Sequence, residues 1–410
     1  MRNLLLLSAL WLPADALACG QSTHIWIGLH AIEHLPPGEL KDLLSDPAMQ
    51  TLEINGSMFP DGGYSPLTQD AYGEDAHWEP FQTAWMNWVM DTYPQPYSDE
   101  ALADIAFILG AAAHGMADQA YDGVFLTRSL IYDGPEPWAN YNSDHTTDVV
   151  FVSQVGPQPQ VDDETVPYDK LAHVYDLYGN PTEVRTMKLG QTSLQAAVQF
   201  VAAEAADPAV LADYLAQFPW STEHLNDKDM PGSPACMGAV VAAYWQTLWD
   251  RLHHDFDKDK SAVIWSWPPD GSFQHERSAA SIESQISFVF ARAVDQDTLT
   301  PDAITVTDED GVEHPQEHGL YYGNRSNVVN LSPVGDWAED TTYTVTVQPG
   351  VTSFDGVQIE APTSFTFSTG EPPKVCGCAS DGRGGAGFLV ALVATASLRR
   401  RRFTSRAPLA

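Results

Sequence analysis

The sequence predicts a multidomain chain, all-α first and all-β after it, on three observations. Over residues 19–258 the apolar positions recur every three or four residues, as the buried faces of helices require. Over residues 262–370 they alternate in short runs separated by turn signals such as Asp310-Gly311 and Asp355-Gly356, as strands require. Both ends of the chain shift to compositions that fit neither pattern. At 410 residues the chain is long enough for more than one core.

Residues 1–18 read as a secretory signal. Arg2 supplies the charge, Leu4–Leu12 the apolar run, and Ala16-Leu17-Ala18 the small-residue cleavage site before Cys19. Two processing routes stay open at Cys19, ordinary cleavage and lipoprotein maturation. Four cysteines, Cys19, Cys236, Cys376 and Cys378, do not make a disulfide scaffold in a chain this long, and a Cys19–Cys236 bridge is compatible with the count alone.

The first helix follows Ser22 or Thr23 as its N-cap, with His24, Gly28, Ala31 and Leu35 on one face, so His24 is expected to point inward. His30 and His34 are expected in solvent. Phe59-Pro60-Asp61-Gly62-Gly63 reads as a turn with a single carboxylate, which on its own is an ordinary turn cap. His77 precedes an aromatic helix that carries Trp85, Trp88 and Val89. In the stretch Phe107–Asp122, helical spacing puts His114, Asp118 and Asp122 at i, i+4 and i+8 in one row, which begins one turn earlier at Gly110 and Ala111. A buried imidazole beside buried carboxylates is costly unless a charge offsets it, and a metal ion does so. Further on, His145 and Asp148 stand at i and i+3 on a helix start, with Asp144 as an alternative partner. Helical pattern continues to about residue 255, ending in the stripe Val240–Leu252 with Trp245 and Trp249. Asp255, Asp257 and Asp259 imitate a calcium loop, but Lys260 and Ser266 stand where its glycine and glutamate belong.

Five runs, 286–290, 304–306, 328–331, 343–347 and 364–367, then read as strands of a small antiparallel sandwich with no catalytic pattern. Residues 371–385 read as a linker with Cys376-Gly377-Cys378. Residues 386–410 hold an apolar run shorter than the ~20 residues of a spanning helix, then Arg399–Arg402. That combination reads as a C-terminal sorting segment cut by an envelope protease.

With 55 acidic against 20 basic residues, the formal charge is −35. Such a surface repels nucleic-acid backbones and anionic membranes unless cations or a local patch reverse it. Phosphodiester chemistry in a metal-filled pocket stays compatible with it. In a chain with few cysteines, a His/carboxylate set fits zinc best.

Taken together, Cys19-Gly20-x-Ser22-Thr23-His24 with Ile27-Gly28, Phe59-Pro60-Asp61, His77-Trp78-x-Pro80-Phe81, Tyr93-Pro94-x-Pro96 and Gly110-x-x-x-His114-x-x-x-Asp118 resemble the zinc-dependent phospholipase C family. Within it they resemble above all the N-terminal catalytic domain of glycosylphosphatidylinositol-specific phospholipase D. The β part resembles bacterial Ig-like domains, and the Cys-Gly-Cys tail resembles tags read by myxosortase-type enzymes. The resemblance implies an all-α domain with a site for two or three zinc ions. One would be held by Asp61, His77, His114 and Asp118, and a second by the Cys19 amine and carbonyl, His24 and a bridging Asp118. His145 with Asp148 would help hold a third. There the chain departs from the pattern, because Asp122 stands where relatives carry a histidine; either Asp122 substitutes or the third site is weak.

The implied reaction is hydrolysis of a phospholipid or glycosylphosphatidylinositol-type phosphodiester by a metal-activated water, with Asp61 as general base. Two other readings are carried beside it: a single-strand nuclease of the same fold, and a non-catalytic surface binding protein with a structural metal site.

Overall fold

A computed structural model describes residues 20–140, 143–259, 262–320 and 325–372. Cys19, the 1–18 signal reading, Cys376, Cys378 and the 386–410 sorting segment lie outside them.

The helices come in an unbroken series. The first eight are α1 (Gln21–His34), α2 (Glu39–Ser45), α3 (Pro47–Met58), α4 (Tyr72–Ala76), α5 (Glu79–Thr92), α6 (Asp99–Ala120), α7 (Thr127–Tyr132) and α8 (Pro135–Asn140). The rest are α9 (Ser143–Val155), α10 (Tyr168–Tyr178), α11 (Val184–Ala205), α12 (Pro208–Gln217), α13 (Pro219–His224) and α14 (Pro234–Leu252). Helix α6 is the axis of this assembly. Ser98 caps it by accepting from the Ala101 amide, and Asp99 and Glu100 place negative charge in its first turn, where the helix dipole favours it. Every residue from Asp104 to Ala120 is buried. The run Asp99–Tyr132 is long and apolar enough to cross a membrane, yet 83% of its most apolar window is buried within the fold.

Helix α3 crosses α6 at backbone contact. A methyl group on Gly56 would lie 2.0 Å from the Phe107 carbonyl oxygen, and one on Gly110 would lie 2.1 Å from that of Glu53. Glycine at both positions allows the crossing. Trp245 of α14 closes the other side, its indole N–H donating to the Leu109 carbonyl at 2.7 Å.

Helix α6 does not run on through Asp122, as its spacing predicted. Tyr121–Leu126 form a π-helical segment, whose wider turn takes Asp122 out of the 3.6-residue row.

The β part is a two-sheet sandwich of β1 (Val263–Trp267), β2 (Ile286–Phe290), β3 (Ile304–Asp308), β4 (Gln316–Leu320), β5 (Val328–Pro333), β6 (Thr342–Val347) and β7 (Thr363–Ser368). One sheet has the order β1-β2-β5-β4 and the other β3-β6-β7, with antiparallel neighbours throughout. The inner faces meet around Phe288, Val306, Leu331, Trp337, Tyr343 and Phe367. Strand β2 is buried at all five positions. Its alternation predicts one wet face, but Val289, with Val328 of β5, packs into the helical core instead. The two parts therefore share a core along β2 and β5.

Candidate metal centre

Five side chains separated in sequence meet at α6. His24 comes from α1, Asp61 from the 3₁₀ turn Phe59–Tyr64, His77 from the end of α4, and His114 and Asp118 from α6. All but Asp61 are buried, and Asp61 is partly so.

Backbone carbonyls aim the histidines. His114 Nδ1 is 2.7 Å from the Ser57 carbonyl and His77 Nδ1 is 2.7 Å from that of Gly73, so in both rings Nε2 is the atom turned to the centre. The His24 and His114 rings stack at 3.6 Å. His77 Nε2 lies 3.0 Å from His114 Nε2. Asp118 Oδ2 lies 3.3 Å from His77 Nε2 and 3.2 Å from His114 Nε2, and Asp61 Oδ1 lies 3.3 and 3.6 Å from the same two atoms. Asp61 Oδ1 and Asp118 Oδ2 thus each lie within 3.6 Å of both imidazole Nε2 atoms. Tetrahedral ligands with bonds of 2.0–2.1 Å stand about 3.3 Å apart, so this spacing fits a zinc ion. The other oxygen of Asp118 lies 3.0 Å from His24 Nε2. Among the described residues, two overlapping donor groups arise: His24, Asp61 and His114, then His77, His114 and Asp118.

Without a metal the cluster holds itself together by charge. Burial pulls both imidazoles down, but Asp118 and Asp61 outweigh it and push His77 up to about 10 and His114 up to about 9. Burial likewise opposes ionisation of the carboxyls. His114 and its neighbours win there too, holding Asp61 and Asp118 well below the usual carboxylate range.

The remaining sequence candidates sit elsewhere. The structure does not bring His145 into the centre: its Nε2 is 2.5 Å from a Glu204 carboxylate oxygen of α11, and its ring stacks on Phe200. Asp148 is buried at the start of α1, where it accepts from the Ser22 amide at 3.1 Å and from the Thr23 amide and hydroxyl at 2.8 Å. That makes it the cap of α1 from across the fold, the role expected of Ser22 or Thr23. Asp122 is buried in the π-helical segment, outside both donor groups.

Three partners of the centre have no local sequence signal. Gln21 donates from Nε2 to Asp61 Oδ2. The Ser57 and Gly73 carbonyls act through backbone atoms, which any residue supplies.

A family model described as a bacterial Ig-like domain matches residues 257–369. Phosphatidylinositol-glycan-specific phospholipase D of Bos taurus is 34% identical over 121 residues, covering 28% of this chain and 14% of that one. The same enzyme of Mus musculus is 28% identical over 208 residues, covering 47% and 24%. The matches thus span a quarter or less of those relatives' own length. They support a phospholipase-D-like plus Ig-like layout. Among solved structures, the alpha-toxin of Clostridium perfringens aligns at 10% identity over 86% of this chain and 99% of that one, with a TM-score of 0.27, which carries no argument.

Proposed function

We propose that this chain is an exported zinc-dependent phosphodiesterase that hydrolyses phospholipids or glycosylphosphatidylinositol-type lipids. The observation that carries the reading is the meeting of His77 Nε2 and His114 Nε2, 3.0 Å apart, with Asp61 Oδ1 and Asp118 Oδ2 each 3.2–3.6 Å from both. These four would hold one zinc ion, and His24 with the second oxygen of Asp118 would serve another. Bound there, zinc supplies an acidified water and positive charge for the phosphoryl oxygens.

The protein residues divide the remaining work. The Ser57 and Gly73 carbonyls fix the tautomers of His114 and His77 and keep both rings oriented. Gln21 holds Asp61 Oδ2, which turns Oδ1 inward. Asp61 is the proposed general base. The −35 charge counts against a nucleic-acid substrate. Residues 1–18 are proposed to export the chain, and residues 386–410 to direct processing at the cell envelope.

The test is metal content of protein beginning at Cys19, beside His114→Ala, with hydrolysis measured on phosphatidylcholine vesicles, phosphatidylinositol vesicles and single-stranded DNA. Two or three zinc ions, lost in the variant together with lipid hydrolysis, are expected. Metal with no hydrolysis of any substrate would leave a structural metal site and overturn the enzyme reading. DNA as the preferred substrate would replace it with a nuclease.

A further inference from the structure

The Ig-like sandwich touches the metal centre's own segments, at residues adjacent to its proposed ligands. Glu79, two residues after His77, is buried, and its carboxylate is shared between the two parts of the chain. Oε1 accepts from Arg251 Nη1 of α14 at 2.6 Å. Oε2 accepts from Asn327 Nδ2 at 3.0 Å and from the Ala293 amide, both in the sandwich. Gln119, the residue after Asp118, is buried too. Its Oε1 accepts from the Asn327 amide at 2.7 Å and from the Ser326 hydroxyl at 3.2 Å. Gly123, the residue after Asp122, gives its carbonyl to Asn330 Nδ2 at 2.8 Å.

One residue of the sandwich thus holds both sides of the centre. The Asn327 side chain grips the His77 segment and its backbone amide grips the Asp118 segment. Asn327 is fully buried, and its Nδ2 also reaches the Phe290 carbonyl at 3.1 Å, so it is fixed to β2. From the helical side, Gln82 Nε2 reaches the His77 carbonyl at 3.3 Å, and no comparable side-chain bond ties Gln119 to the helices among the described residues. The separation of His77 Nε2 from Asp118 Oδ2, 3.3 Å, is the edge of the donor set that this brace spans.

We propose that Asn327 is a positioning residue of the metal centre, setting the spacing of His77 and Asp118, so that the Ig-like sandwich is a structural part of the site. This rests on the metal reading of the previous subsection. Losing a group that bonds a metal ligand directly costs 10–100-fold in affinity, and Asn327, which bonds the neighbours of two ligands, is set at the lower end of that range. A sandwich that merely adds stability would leave affinity and ligand geometry unchanged when weakened elsewhere.

The experiment uses the full chain and four variants: Asn327→Ala, Ser326→Ala, Gln119→Leu and Val306→Ala. Val306 lies in the sandwich core on β3, in the sheet that does not face the helices. Zinc affinity is measured by competition with a chelator, and the visible bands of the cobalt(II)-substituted protein report ligand geometry. Asn327→Ala and Gln119→Leu are expected to weaken zinc binding at least tenfold and to shift the cobalt bands. Val306→Ala is expected to lower the melting temperature while affinity and bands stay put. Should Asn327→Ala fail to fold, Ser326→Ala, which removes only the hydroxyl to Gln119, is expected to weaken binding about threefold with the same band shift. Unchanged affinity and bands in the folded Asn327 or Ser326 variant would overturn the proposal and leave the metal reading intact. A wild-type protein that binds no zinc or cobalt would overturn both.

Discussion

The Glu53 carboxylate lies against the bare Cα of Gly28, one turn from His24: a methyl group at position 28 would sit 2.0 Å from Glu53 Oε1. Glu53 is fully buried, neither side-chain oxygen has a hydrogen-bond partner among the described residues, and burial pushes its pKa from 4.5 up to about 8. The folded protein therefore keeps a proton that the unfolded chain gives up near pH 4.5. The contribution is fully present below pH 4.5 and is lost as pH rises through about 8. Glu53→Gln should abolish this slope. The variant is expected to match wild type at pH 5 and to melt at least about 5 °C higher at pH 9. Thermal unfolding across pH 5–9 checks it, and parallel curves would contradict it.

Metal uptake should release protons. The Asp118 and Asp61 carboxylates raise His77 to about 10 and His114 to about 9, so the metal-free pair binds protons at pH 7.5 that must leave both Nε2 atoms before an ion is held. Calorimetric titration with zinc in two buffers of different ionisation enthalpy is expected to give a release of one to two protons from the pair. The sign follows: affinity rises with pH between 6 and 8, by up to about 100-fold per unit for two protons. A pH-independent affinity would place the ion elsewhere.

How far the sequence carried differed by residue. His114 and Asp118 were legible from spacing alone, because both stand on one helix and i, i+4 is a helical contact. His24, Asp61 and His77 were ambiguous locally and stood out only through the combined motif, since it is tertiary packing that brings their atoms to α6. The row through Asp122 misled because a π-helical segment has no strong sequence mark. His145 misled because its partner Glu204 lies 59 residues away. The burial of both faces of β2 could not be read from its alternation, which records one core and says nothing of a second layer docking on Ser287 and Val289.

Asp148 offers a direct separation of capping from metal binding. Asp148→Ala removes the acceptor of two buried amides and a hydroxyl at the start of α1, at a cost of about 1–2 kcal/mol for a lost cap. Hydrogen exchange is expected to speed up at the Ser22 and Thr23 amides, with zinc content unchanged. Loss of one zinc per chain with the amides still protected would make Asp148 a ligand instead.

Glu79 and Arg251 are a buried pair whose loss should be felt across both parts of the chain. Their side chains are 0% and 9% exposed. Arg251→Met leaves the Glu79 carboxylate with its bonds to Asn327 and Ala293 and only the longer-range charge of Arg292, and a buried pair broken on one side costs about 3–5 kcal/mol. Because Val289 and Val328 belong to the helical core while their strands also form the sandwich, neither part can unfold without stripping the other. Scanning calorimetry is expected to show one transition in wild type, and one transition at least 5 °C lower in Arg251→Met. A sandwich that melts separately, with the helical part unshifted, would contradict the shared core.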